Sequence, residues 1–257
     1  VPAHIEDANL DDEKAFFDKH YKPNNAVLVL AGNFKIENAK LLIDKWFSDI
    51  AIGKFITPAL PIEPQQKEFR SKVLERDVSA DAIYMAFHIP DRLDKDFGAY
   101  DMLSDIFSGG KSGRFYQNLL KGTDVFSSVY AYITGSIDPG LFIIEAKLIG
   151  DDKIDLARQL IWEELEKMKV DLIPEKEIQK VKNGLISSIS FSEVSIMHKA
   201  INLAFYEMLG DANLINKQEE DYVDVKSEDI RALAQKTFLK NNCSEVVYLK
   251  KDLSSKV

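Results

Sequence analysis

Along the 257 residues the period of apolar and polar positions changes several times, and each change marks an element. Leu10, Phe16, Phe17 and Tyr21 share one helical face; Asn9 can cap that helix, and Pro23 with Asn24 and Asn25 stops it. Ala26–Ala31 is a continuous apolar run ending at Gly32-Asn33, which predicts a strand covered on both faces. A second helix is expected over Ile36–Ile50, with Leu41, Leu42, Trp46 and Phe47 at helical spacing. Gly53, Pro58, Pro61 and Pro64 then exclude a regular element, so 52–66 reads as an extended linker between residues 1–51 and 67–257.

Beyond the linker the alternation becomes strand-like. Phe69–Asp77 is expected to pair with Ala82–Ile89, and Val125–Thr134 with Leu141–Ile149 across a Gly135–Gly140 turn. Helices are expected over Phe97–Phe107, about Arg114–Lys121, Lys153–Lys169, Pro174 towards Phe191, Ser195–Leu209 and Ser227–Thr237, with a last strand at Glu245–Leu249. Grouped strands followed by grouped helices predict an α+β fold: a largely antiparallel sheet with helices on one face. The helices beginning near Phe97, Lys153, Pro174 and Ser195 are the ones expected to cover it. Residues 1–50 hold two helices and one apolar strand, too few to cover Val27, Leu28, Val29 and Leu30 together. That segment is therefore expected to need a partner surface.

Composition narrows the function. Hydrophobic residues make up 46%, enough for a buried core, while 33 Lys+Arg against 42 Asp+Glu leave a net charge of −9. That balance argues against nucleic acid or an anionic membrane surface as the main partner. The longest apolar run, Ala26–Ala31, is far short of the about 20 residues that span a bilayer. The chain opens on Val1-Pro2 and reads as a segment of a longer product, so its compartment stays open.

The residues offer no convincing catalyst or metal set. His4, His20, His88 and His198 include no pair at i+3 or i+4, and Cys243 is the single cysteine. Gly109-Gly110-Lys111-Ser112 lacks the Gly five positions earlier, and the preceding strand, that a phosphate loop requires. Ser127-Ser128, Ser187-Ser188 and Ser195 stand outside any Gly-x-Ser-x-Gly context. The carboxylate-rich stretches Asp7–Glu13, Asp151-Asp152 and 218–221 read as helix starts and solvated surface, not calcium loops. The expectation is no catalytic residue and no metal ligand in this chain, with substrate-binding residues unassigned.

One pattern is specific. Phe16-Phe17-x-x-x-Tyr21-x-Pro23-Asn24-Asn25-Ala26-Val27-Leu28-Val29-x-Ala31-Gly32-Asn33-Phe34, followed by a helix ending in Trp46-Phe47, resembles the pitrilysin/insulinase family of zinc peptidases. Gly109-Gly110-x-Ser112-Gly113-Arg114-Phe115-Tyr116-Gln117-Asn118-Leu119 is similar to that family's Ser-Arg helix, and Ser128-Val129-Tyr130 to the strand after it. Pro174-Glu175-x-Glu177-Ile178-x-x-Val181-Lys182-Asn183 resembles the helix that ends its repeat. The resemblance implies a LuxS/mitochondrial-processing-peptidase-like metallohydrolase architecture, with repeated α+β domains paired into halves around a peptide. Residues 1–51 would be the end of a truncated first domain and 67–257 a complete second, non-catalytic domain.

The family's inverted His-x-x-Glu-His zinc helix is absent from these residues, so the resemblance implies zinc in the parent protein and none in this chain. Leu120 and Ser127 stand where another part of such enzymes carries a substrate-contacting Arg and Tyr. Two readings follow. In one, this is the non-catalytic portion of a zinc-dependent metallopeptidase, inactive by itself, buttressing the zinc domain and walling a peptide chamber. Its partners would be peptide or unfolded polypeptide and the rest of the same protein or a paired homologous half. In the other, it is a scaffold or assembly domain of a catalytically inactive relative.

Overall fold

Ala82–Ile89 alternates large apolar side chains with small or polar ones, and in the computed structural model it forms the middle strand of a five-stranded sheet. The structure describes residues 2–54, 61 and 63–251. In chain order these give α1 (Pro2–Glu6), α2 (Leu10–His20), α3 (Ile36–Phe47), β1 (Arg70–Arg76), β2 (Ala82–Ile89) and α4 (Phe97–Ser108). A π-helical turn, Phe115–Leu120, leads into the hairpin β3 (Phe126–Ile133) and β4 (Gly140–Leu148). Then come α5 (Ile154–Val170), α6 (Glu175–Ser192), α7 (Ile196–Met208), α8 (Glu220–Val223), α9 (Ser227–Thr237) and β5 (Cys243–Lys250). The contacts divide the chain into two units, Val1–Glu63 with Phe191–Ile215, and Pro64–Ser190 with Asn216–Val257.

The larger unit holds the sheet, in the order β1-β5-β2-β4-β3. Every neighbouring pair is antiparallel except β1 with β5. Successive side chains of a strand point to opposite faces, so Ile83, Met85 and Phe87 line up with Phe142 and Ile144 on one face. Met102, Leu103 and Phe107 of α4, Ile161 and Leu165 of α5, and Ile230 and Ala234 of α9 close over them. Phe238, just past α9, meets Phe87 and Phe142 edge-on at 5.2 Å between ring centres. Each such side chain contributes about 1.5–3 kcal/mol by leaving water. The fold is thus α+β, a largely antiparallel sheet with its helices on one face.

Three expectations change. Phe69–Asp77 does not pair with Ala82–Ile89, because β5 lies between them. The reason is chemical: β1 reads Arg-Ser-Lys-Val-Leu-Glu-Arg and is exposed along most of its length, as suits an edge, whereas β5 carries buried Cys243, Glu245 and Val247. Asp81 bridges the end of the inserted strand, its carboxylate accepting from the Lys250 N–H at 2.7 Å and its carbonyl from the Leu148 N–H at 2.9 Å. Second, the Ser195 helix, α7, falls in the smaller unit, and the side chains that close over the sheet come from α4, α5 and α9. Third, the helix expected at about Arg114–Lys121 is π-helical, over Phe115–Leu120.

The smaller unit keeps its helices but not its strand. Asn9 and Asp12 form a reciprocal capping box at the start of α2, with the Asn9 Oδ1 accepting from the Asp11 and Asp12 N–H groups. Ala26–Ala31 joins no sheet among the described residues, and Leu28 and Leu30 remain about half exposed. A strand needs a neighbouring edge for its N–H and C=O groups, and the described residues of this unit offer none. Neither α2 nor α3 buries a residue, and Leu41, Leu42 and Trp46 stand exposed. Of the expected linker, 55–60 and 62, Pro58 included, lie outside the described residues.

An ion pair locks β5 in place. The Arg158 guanidinium on α5 donates to both carboxylate oxygens of Glu245, at 2.8 and 3.0 Å, and the Ser71 hydroxyl of β1 donates to the same carboxylate at 3.0 Å. Glu245 is 2% exposed, so removing Arg158 strands a buried charge. We expect Arg158→Ala to lower unfolding stability by about 3 kcal/mol in urea titrations, and Arg158→Met with Glu245→Leu to recover most of it.

A second expectation concerns pH. Burial and then the neighbouring Asp101 carboxylate push Asp105 of α4 above the usual carboxylate range, with Lys180 opposing. The folded state therefore holds this proton to higher pH than the unfolded chain does. Its burial costs stability at neutral pH, and the cost disappears as pH falls through the folded value. Asp105→Asn is expected to be the more stable protein near pH 7, with its advantage shrinking as pH drops towards about 4. Paired urea titrations across that range read the difference.

Candidate functional site

The face of the sheet opposite the helices is lined by the other half of each strand's alternation. One row crosses it from Tyr130 through Glu145 and Tyr84 to Val246 and Lys72. The next runs from Tyr132 through Ile143 and Ala86 to Ser244 and Arg70. Tyr130 is 55% and Tyr132 43% exposed, and Tyr248 meets Tyr84 edge-on at 5.9 Å. The Tyr84 hydroxyl lies 3.4 Å from the Glu145 carboxylate, and Lys147 pairs with the same carboxylate at 3.8 Å. Burial first, and Glu145 next, push the Tyr84 hydroxyl above its ordinary pKa, so it stays a neutral donor. Four tyrosines on this face present wide apolar rings with polar tips.

The two motif stretches of the larger unit meet elsewhere. Arg114, at the start of the π-helical turn, donates through Nε and Nη2 to the two carboxylate oxygens of Glu177 on α6, each at 3.0 Å. The Lys180 ammonium donates to the Ser112 hydroxyl at 2.9 Å. Gly110 takes φ +69°, and a Cβ on Gly113 would come within 2.6 Å of the Phe107 carbonyl oxygen, so the Gly-Gly-x-Ser-Gly spelling is a packing requirement. The loop follows a helix and forms a short 3-10 turn, where a phosphate loop joins a strand to a helix. Asn118 from the same turn donates to the buried Glu164 of α5 at 2.8 Å. These contacts fasten α6 and α5 to the core.

The residues weighed as catalysts are scattered. His20 meets Phe16 in a tilted ring contact within α2, His88 lies half-buried on the tyrosine face, His198 is exposed on α7 and His4 falls in α1. Among the described residues no group of three or more His, Cys, Asp or Glu is placed to hold a metal ion. Ser195 caps α7, accepting from the His198 N–H. Ser127 donates to the Lys147 carbonyl beside a bulge in β3, and Leu120 is half-buried against the core. The tyrosine platform escaped the sequence reading. Its signal was present as Tyr130 and Tyr132 two apart, out of phase with Val129 and Ala131.

The peptidase M16 inactive domain is the family whose model matches residues 7–185, more than half of the chain. The chain belongs to that family, the pitrilysin/insulinase family of the resemblance, as its inactive, non-catalytic domain. The zinc protease PqqE of Helicobacter pylori is 25% identical over 249 residues, covering 96% of this chain and 56% of that protein. A crystal structure of a protease from Helicobacter pylori superposes with a TM-score of 0.88 at 23% identity, over 95% of this chain and 59% of that one. A peptidase M16 inactive domain from Pseudomonas fluorescens gives 0.78 at 19% identity, over 96% and 58%. The chain thus spans a little over half the length of the first curated relatives it matches. Among the described residues no helix is long and apolar enough to cross a membrane.

Cys243 tests the inertness of the core. Its thiol is fully buried at the start of β5, where burial first and then Glu245 push it up to about 12, with Lys240 opposing. We expect no reaction with a disulfide-exchange reagent near pH 8 while the chain is folded, and full reaction of the one thiol after denaturation.

Proposed function

We propose that this chain serves a zinc-dependent metallopeptidase as the wall of its peptide chamber and the buttress of its zinc domain. The observation that carries the reading is the tyrosine-lined sheet face, which stays open because every covering helix of the sheet lies on the other side. In this reading residues 67–257 form the second, non-catalytic domain and 52–66 the linker. Residues 1–51 belong to a first domain whose remaining parts cover the exposed faces of α2 and α3. The zinc, the water-activating carboxylate and hence bond cleavage belong to the rest of the protein. This chain's own residues supply surface, orientation and rigidity, and none of them is a catalytic residue. Peptide or unfolded polypeptide is the substrate class, and the rest of the polypeptide or a paired homologous half is the partner.

The test uses the full-length protein. Elemental analysis is expected to find one zinc per active site, and a quenched fluorescent peptide is expected to be cleaved. Tyr130→Ala with Tyr132→Ala should raise KM about tenfold while kcat changes little, the signature of lost uniform binding. The isolated 257-residue chain should neither take up stoichiometric zinc nor cleave the peptide. A full-length protein that folds yet holds no zinc and cleaves nothing would favour a scaffold instead.

A further inference from the structure

The tyrosine face carries an unexpected charge. Strand alternation and register place Arg70, Lys72 and Arg76 of β1, Lys147 of β4 and Lys250 of β5 on it, because Ser71 of β1 and Glu245 of β5 point to the helix side. Glu145 is the carboxylate among the described strand residues of this face, and it is already paired with Lys147. Glu75 alternates to the helix side with Ser71. A chain of net charge −9 thus concentrates positive charge on the one sheet face that its helices leave open. Charge of one sign on a low-dielectric surface focuses the field and selects an oppositely charged partner.

We infer that this face takes acidic polypeptide: an extended segment whose carboxylates meet Arg70, Lys72 and Arg76 while its apolar and aromatic side chains lie on Tyr84, Tyr130, Tyr132 and Tyr248. The inference rests on the chamber-wall reading and adds the substrate class. Charge complementarity names the occupant. Lys72 and Tyr84 stand in one row of the sheet, so a strand-like peptide crossing it meets a cation at one end and rings at the other. A long polyanion such as nucleic acid would extend past the patch over a surface whose balance is acidic, losing what the patch gains. β1 has no ladder partner on its outer edge among the described residues, which leaves room for a segment beside it.

The test is fluorescence anisotropy on the 257-residue chain with labelled peptides of equal length built from Gly-Glu-Tyr, Gly-Gln-Tyr or Gly-Lys-Tyr repeats. At low salt the glutamate peptide should bind about tenfold more tightly than the glutamine peptide, with the lysine peptide weakest. About 0.5 M salt should close the gap. Arg70→Glu with Lys72→Glu, both on an exposed strand, should abolish the preference for the glutamate peptide over the glutamine peptide. Lys72→Gln should halve the preference if the double variant proves poorly folded by circular dichroism. Equal binding of the glutamate and glutamine peptides, or a preference that survives the charge reversal, overturns the acidic assignment while the chamber wall stands. Absence of binding by all three peptides overturns both. Tighter binding of a single-stranded oligonucleotide than of the glutamate peptide also overturns the assignment.

Discussion

Glu245 is a carboxylate buried on the strand next to the sheet's edge, and the larger unit is arranged around its partners. A buried charge without a counter-ion costs several kcal/mol, so the strand bearing Glu245 is stable only where Arg158 and Ser71 both reach it. Arg158 sits on α5 and Ser71 on β1, so one carboxylate fixes which helix lies beneath β5 and which strand lies beside it. Gln66 adds a second fastening at the start of the strand, donating to the Cys243 carbonyl at 2.8 Å and accepting from the Ser244 hydroxyl at 2.9 Å. The parallel pairing of β1 with β5 follows from these contacts. Strand order, in turn, decides that the cations of β1 and the tyrosines of β2 and β3 share a face.

The sheet thereby separates two tasks. Its inner face is packed by helices and by an aromatic cluster around Phe238, and its outer face is left to polar contacts and rings. In the proposed chamber wall, the surface offered to a polypeptide is held by something behind it, since affinity is lost to ordering whatever is not preorganised. The Arg114–Glu177 and Lys180–Ser112 contacts serve that rigidity, fastening α6 to the glycine-rich turn. They also account for the motif spelling without any chemistry at the loop.

The smaller unit shows the opposite balance. α2 carries a capping box and α3 is amphipathic, yet both bury nothing, and the apolar run Ala26–Ala31 finds no ladder among the described residues. Local signals are enough to wind a helix, but only a neighbouring surface can bury its stripe. Leu41, Trp46 and Leu28 stand exposed on these segments.

What the sequence by itself determined was local or periodic. The strands Ala82–Ile89, Val125–Thr134 and Leu141–Ile149, the helices from Phe97, Lys153 and Ser227, the α+β class and the family resemblance were all readable, because alternation, capping and turn residues act over a few positions. The lack of paired histidines was readable for the same reason. The tertiary structure alone decided that β5 enters between β1 and β2, since that depends on Glu245 meeting a guanidinium 87 positions away. It alone decided that α7 groups with the smaller unit and that Ala26–Ala31 joins no sheet among the described residues, because both turn on long-range contacts. The candidate site belongs to this second class. Tyr84, Tyr130, Tyr132 and Tyr248 lie on three strands, with Arg70 and Lys72 on a fourth, and only pairing and register bring them onto one face.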